Sequence, residues 1–374
     1  MAHAELSPSS AVRWMTCPGS VAQCRGVEDK GSSYADEGTH AHAVAEAILT
    51  GSSYAMEGGI PDDMAMHVQT YVDYVRDVTK AVNGTLLVEQ KLPISGITGE
   101  ADAHGTSDVV ILSQDELIVV DLKYGMGEPV QADHNPQLQI YALAALREFS
   151  LAQDFKTVRM VIHQPRLNSV SEWVQTVEEL EAFGLEVMGA AAATTLPDAP
   201  LVPSTKGCRW CKVKATCSAL RDEVLTQFDI VPETAPEDLL ADSMTKVDMV
   251  EGWCKAVRAE VERRLFAGES VHGYKLVQGK RGNRQWSDVA QAEETLKKMR
   301  VPHDQMYDYK VISPTTAEKL AKDGTIGPRQ WPKVVELITQ SEGKPSVAPE
   351  SDKRPALVKS AAADEFDDLT ESLS

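Results

Sequence analysis

The chain has no run of roughly 18 consecutive apolar residues, so no membrane-spanning helix is expected. Its first residues, "MAHAELSPSS", lack the basic segment and apolar core of a secretory signal. A cytoplasmic protein with no membrane partner is therefore expected. Basic residues are scarce: 37 Lys and Arg stand against 56 Asp and Glu, for a formal net charge of −19. That balance argues against a general nucleic-acid binder, because DNA affinity rests on Lys and Arg neutralising phosphates. Net charge does not forbid a local basic patch. No internal repeat is visible. The six cysteines, in a reducing compartment, point to metal ligands or free thiols rather than disulfides.

The 374 residues are 43% hydrophobic, enough to bury a sizeable core, and the length suggests two domains or one large domain with appendages. Residues 32–51 have apolar positions at helical spacing, with Gly51 as a stop. A second helix is predicted over 61–82, opening on Pro61 and ending before Asn83-Gly84. The period then changes to that of strands at 85–92, 106–112 and 116–123, with "SQD" joining the last two as a tight hairpin. Residues 135–149 form an amphipathic helix with Pro136 in its first turn, 157–164 a strand and 176–194 a helix. This predicts a mixed α/β core with an antiparallel meander. Residues 235–267 read as a charged helix and 271–340 as a small mixed module. Beyond about 341 the chain is rich in Ser, Pro, Ala and acidic residues and is expected to be disordered.

The stretch "VVDLKY" places Asp121 and Lys123 on one face of an apolar strand. Burying either unpaired would be costly. They pair at the strand end, which a solvated end would explain, or they face a cleft with a metal. Asp108 lies upstream in "GTSDVVIL". If the two strands form a hairpin, both carboxylates converge at one end of it. Carboxylates beside a lysine suit Mg²⁺ or Mn²⁺, which polarises a phosphoryl oxygen and activates water.

"SD" at 107–108 with "DLK" at 121–123 resembles the bipartite signature of the PD-(D/E)XK nuclease superfamily, with Ser107 where the name has proline. "GTHAH" (38–42) resembles the G-T-x-x-H motif of the RecB-like branch, and "QLQIY" (137–141) its Q-x-x-x-Y motif. The resemblance implies a restriction-endonuclease-like core of order αβββαβ and a metal-dependent DNA nuclease, with an exonuclease favoured. It implies His42, Asp108 and Asp121 as metal ligands, the Leu122 carbonyl as an extra one, and Lys123 positioning the attacking water. Gln137 and Tyr141, one helical turn apart, would orient the DNA backbone. His40 competes with His42, and Glu89, Glu100 and Asp102 are close enough in sequence to substitute in the site.

"GCRWCKVKATC" supplies Cys208, Cys211 and Cys217. Three thiols so close need a fourth ligand, and zinc is the general reading of such spacing. Cys17, in a Cys-Pro context, and Cys24 are the candidates. One N-terminal cysteine before the core and three after it resembles the iron–sulfur nucleases, the AddB-type subunits and CRISPR-associated RecB-like exonucleases. There a [4Fe–4S] cluster staples the ends of the nuclease domain, and Cys17 matches the first ligand. Cys24 and Cys254 are then ordinary thiols.

Lys206, Arg209, Lys212, Lys214 and Arg221 fall in a stretch without acidic residues, with Trp210 and Arg13-Trp14 beside the cysteines. This surface either tracks single-stranded DNA or is a solvated helix face with tryptophans packed inward. The whole chain resembles a phage and prophage family of RecB-like proteins, a likeness extending to "ISPTTAEKL" (312–320) and "GKPSVAPESDKRPAL" (343–357). The reading divides the chain into a nuclease domain with its cluster (1–225), a helical and mixed extension (226–340) and the acidic tail (341–374). The expected partners are DNA, as single strands or duplex ends, and a phage single-strand-binding or annealing protein. The alternative is a non-catalytic iron–sulfur DNA-binding or recombination-scaffold protein with a vestigial site.

Overall fold

The computed structural model describes residues 4–27, 33–56, 59–275, 277, 289–299, 302–303, 307, 313–322 and 324–338. The acidic tail at 341–374 and the 343–357 stretch lie outside the described residues, as does part of the 271–340 module. The chain divides into two compact units, Met1–Gln278 and Gly279–Ser374. In the first, the described helices are α1 (Ala11–Thr16), α2 (Ser20–Cys24), α3 (Ser33–Thr50), α4 (Asp62–Ala81), α5 (Ser95–Thr98), α6 (Pro136–Phe149), α7 (Val177–Thr194), α8 (Thr205–Arg209), α9 (Ser218–Phe228) and α10 (Glu237–Phe266). Its strands are β1 (Thr85–Pro93), β2 (His104–Leu112), β3 (Glu116–Leu122), β4 (Thr157–Gln164) and β5 (Ser169–Thr176). The described helices of the second unit are α11 (Val289–Lys298), α12 (Pro314–Lys322) and α13 (Trp331–Val335).

The five strands form one mixed sheet in the order β1-β2-β3-β4-β5. β1, β2 and β3 are an antiparallel meander. A parallel pair cannot be joined by a tight turn, and here α6 makes the crossover from β3 to the parallel β4. β5 then returns antiparallel to β4. The sequence reading leaves β5 unassigned. Its residues alternate, but the face carrying Val170 and Val174 is exposed at the sheet edge, so no apolar stripe announces a core-facing strand.

β3 is buried on both faces, as a central strand covered on both sides must be. Ile118, Val120 and Leu122 face the α3–α4 layer with Ala41, Val44, Val68 and Val72. Leu117 and Val119 face α6 and α7, with Leu138, Ile140, Leu143 and Leu180. Burying each such side chain contributes about 1.5–3 kcal/mol, so charged groups at the end of this row need specific partners to be tolerated. α6 starts where Asn135 caps the Leu138 N–H with Pro136 behind it, and residues 138–146 are all buried. α7 opens on a capping box between Thr176 and Glu179.

The N-terminal segment is tied to parts of the chain far away in sequence. Glu100 accepts hydrogen bonds from the Glu5 and Leu6 N–H groups. The Gly19 N–H donates to the Pro200 carbonyl at 2.9 Å. A Cβ on Gly19 would stand 2.5 Å from the Ala199 oxygen, so this approach requires glycine. α8, α9 and α10 gather around Leu220, Val224 and Met249. Among the described residues no helix is long and apolar enough to cross a membrane.

Candidate metal centre

The candidate centre lies where the meander opens. β2 and β3 pair from Leu112↔Leu117 to Val109↔Val120. One step further the register sets Asp108 opposite Asp121. There the strands part, and Asp108 Oδ2 accepts from the Leu122 N–H at 2.7 Å. Its other oxygen, Oδ1, lies 3.1 Å from His42 Nδ1, which α3 brings from the layer above. On the β1 side, Val88 pairs with Val109 and Gln90 with Ser107, so the register sets Glu89 opposite Asp108. Glu89 has φ +47°, a left-handed backbone that glutamate rarely adopts. Ligand atoms of His42, Glu89 and Asp108 lie within 4.8 Å of one another, the one such group of His, Cys, Asp or Glu among the described residues.

Asp121 faces the opposite layer. Its Oδ2 is 2.9 Å from Lys123 Nζ, and its Oδ1 accepts from Gln137 Nε2 at 3.2 Å. Lys123 Nζ also donates to Gln137 Oε1 at 3.0 Å, closing a ring of three side chains. The Lys123 N–H donates to the His163 carbonyl and so extends the β3–β4 pairing by one residue. Tyr141, one turn beyond Gln137, is buried against β2, and a Cβ on Gly105 would stand 2.8 Å from its ring.

Burial and the neighbouring Asp108 charge raise the Glu89 carboxyl to a pKa of about 7. Burial opposes charge on His42, but its hydrogen bond to Asp108 prevails and raises the imidazole above its usual value. Burial likewise opposes charge on Lys123, and the Asp121 and Asp108 carboxylates outweigh it, holding the side chain as ammonium. The buried Asp121 carboxyl is itself raised, by burial first, with Lys123 pulling the other way. Burial also raises the Tyr141 hydroxyl.

The structure thus brings His42, Glu89 and Asp108 into one group and Asp121, Lys123 and Gln137 into an adjoining one. Asp121 stands outside the triad. His40 is elsewhere, its Nδ1 2.6 Å from the Tyr54 hydroxyl. Glu100 anchors the N-terminal segment, and Asp102 is exposed. Glu89 enters the sequence reading only as a substitute, because its left-handed kink leaves no mark in the strand pattern. Tyr71 is missed there altogether. It sits on the buried face of α4 at core spacing with Val68, Val72 and Val75, yet it lines one small pocket with His42, Glu46, Glu89, Asp108 and Leu122.

Cys17, Cys208, Cys211 and Cys217 line a second pocket together. Three of these sulfurs accept backbone N–H groups: Cys17 from Val202 at 3.2 Å, Cys208 from Ser204 at 3.4 Å and Cys217 from Leu220 at 3.4 Å. Cys24 Sγ is 4.0 Å from Cys211 Sγ. That contact lowers the Cys24 pKa to about 6 and raises that of Cys211. Beside them, Trp210 is 80% exposed, with the Arg209 guanidinium 5.5 Å from its ring centroid. An open groove of about 400 Å³ adjoins it, lined by Lys206, Arg209, Lys214, Trp253 and Lys255 but also by Glu128, Asp248 and Glu251. Trp14 does not share this surface. It is fully buried, and its indole N–H donates to the Ser7 carbonyl.

The sequence matches the family described as "Protein of unknown function (DUF2800)" over residues 3–355. A solved structure described as "Crystal structure of SSO0001" is similar over 56% of this chain and 84% of that chain, at 16% identity and a TM-score of 0.25. A likeness that low carries no argument.

Proposed function

The chain belongs to the DUF2800 family, a premise that names no reaction, and we propose that it is a metal-dependent DNA nuclease. In this reading it is a RecB-like member of the PD-(D/E)XK superfamily that acts as an exonuclease in phage recombination or replication. The observation that carries it is the His42–Glu89–Asp108 triad beside the Asp121–Lys123–Gln137 ring. The two carboxylates supply the oxygen donors that suit Mg²⁺ or Mn²⁺. His42, Glu89 and Asp108 would hold the ion, with Asp121 and the Leu122 carbonyl available when substrate enters. The ion would supply Lewis acidity at a phosphoryl oxygen and acidify a bound water.

The chain's own residues would do the remainder. Lys123, kept as ammonium by Asp121 and Asp108, would not abstract a proton. It would orient the attacking water and offset charge on the phosphate. Gln137 would hold Asp121 and Lys123 in register, and with Tyr141 would orient the DNA backbone. Four thiols around one pocket, three of them accepting backbone N–H groups, support a [4Fe–4S] cluster there. The alternative at the same cysteines is a structural zinc, which four thiolates would hold as a tetrahedron.

The second reading, an iron–sulfur DNA-binding or recombination-scaffold protein without activity, is favoured by one observation: Asp121 is occupied by Lys123 and Gln137 and stands outside the triad. Cleavage of end-labelled single- and double-stranded DNA with Mn²⁺ decides between them. The nuclease reading expects digestion with Mn²⁺, and a loss of about 10²-fold or more in Asp121→Ala with the fold and the cysteine site retained. Wild-type rates in that variant overturn the assignment, and no cleavage by the wild type supports the scaffold.

A further inference from the structure

Tyr71 is 1% exposed, and among the described residues its hydroxyl has no hydrogen-bond partner. A buried hydroxyl without a partner destabilises a fold, and such groups mark strain, function or an absent ion or water. Its surroundings separate these. The helix α4 puts the ring among Met64, Val68, Val72 and Val75, while the side chain lines the same small pocket as His42, Glu89 and Asp108. The His163 ring stands edge-on, its centroid 5.5 Å from that of Tyr71, and makes no hydrogen bond with the hydroxyl. Apolar packing would be served as well by phenylalanine.

We propose that Tyr71 is a positioning residue for a divalent cation at this pocket, its hydroxyl hydrogen-bonding a water in the cation's coordination shell. The inference rests on the metal-site reading above. Its chemistry follows from the donor set. His42, Glu89 and Asp108 offer three protein ligands, and small hard cations keep several waters. A phenol donates one hydrogen bond and accepts others, whereas the carboxylates can only accept. Tyr71 can therefore serve a bound water as either donor or acceptor. Glu46, one turn after His42 on α3, is exposed at the rim of the pocket and is not needed for this role.

The test compares Tyr71→Phe with wild type and with Tyr74→Phe, whose lost hydroxyl donates to Glu172 away from the pocket. Mn²⁺ affinity is measured by calorimetry and by electron paramagnetic resonance, and thermal unfolding is followed with and without Mn²⁺. In Tyr71→Phe, Mn²⁺ is expected to bind about tenfold more weakly, as for other groups that support a metal shell. The metal-free protein is expected to melt higher, since the orphaned hydroxyl is gone. These changes have opposite signs, which a purely structural role would not produce. Tyr74→Phe is expected to keep wild-type Mn²⁺ affinity. Equal Mn²⁺ affinity in wild type and Tyr71→Phe overturns this inference and leaves the metal site standing. Failure of the wild type to bind Mn²⁺ overturns both.

Discussion

At the scale of residues, the end of β3 and β4 shows how burial sets protonation. His163 sits between the rings of Tyr71 and Tyr74, its Nδ1 has no hydrogen-bond partner among the described residues, and burial lowers its pKa to about 4. The unfolded chain holds this imidazole near its ordinary value of about 6.5. Between those values the unfolded state binds more protons, so stability is complete above about pH 6.5 and falls as pH drops toward 4. Discounted for partial screening, the loss is on the order of 1–2 kcal/mol. His163→Phe is expected to flatten that part of a urea-midpoint profile against pH, and an unchanged acid slope would remove His163 as its source. Sequence shows the residues of the candidate centre unevenly. His42, Asp108, Asp121, Lys123 and Gln137 stand at motif spacings, and the structure gathers them at one end of the sheet. Glu89 reaches the triad only through a left-handed backbone, at a strain of about 1–3 kcal/mol. Side-chain pattern does not encode that, and neither does it reveal that Tyr71 on an apolar helix face has an orphaned hydroxyl.

At the scale of elements, the meander and the α6 crossover are legible because β2, β3 and α6 carry long, regular apolar patterns. β5 is hidden because an edge strand with valines on its open face matches no core template. The junction between the N-terminal segment and residues 199–202 is half legible. The cysteines announce it, while the close approach at Gly19 appears only in three dimensions. If the four thiols hold a cluster, it would reinforce a contact the backbone already makes. Protein prepared without oxygen should then be brown, with broad visible absorbance from thiolate-ligated iron. Cys17→Ser should bleach it and lower thermal stability by loosening the segment from Val202. Stoichiometric zinc without iron in anaerobic preparations would instead assign the site to zinc.

At the scale of the whole molecule, charge is the obstacle to the DNA binding proposed above. The chain carries a net −19, and even the groove beside Trp210 mixes lysines with Glu128, Asp248 and Glu251. Arg209 is itself paired with Glu128 at 3.0 Å. A substrate polyanion would therefore depend on local cations, and acidic segments elsewhere in the chain would compete with it for them. Residues 364–374, "DEFDDLTESLS", hold five carboxylates and no basic side chain. An idle solubilising tail would leave DNA affinity untouched. A brake would occupy the cations that phosphates need, with Phe366, Leu369 and Leu373 spaced for a single helical face. Removing residues 361–374 changes the net charge from −19 to −14. If the tail competes, truncation should tighten binding to a labelled single strand several-fold in low salt. The gain should shrink as ionic strength approaches about 0.15 M and the screening length falls to about 8 Å. Equal affinities for the full and truncated chains across the salt series would exclude the brake.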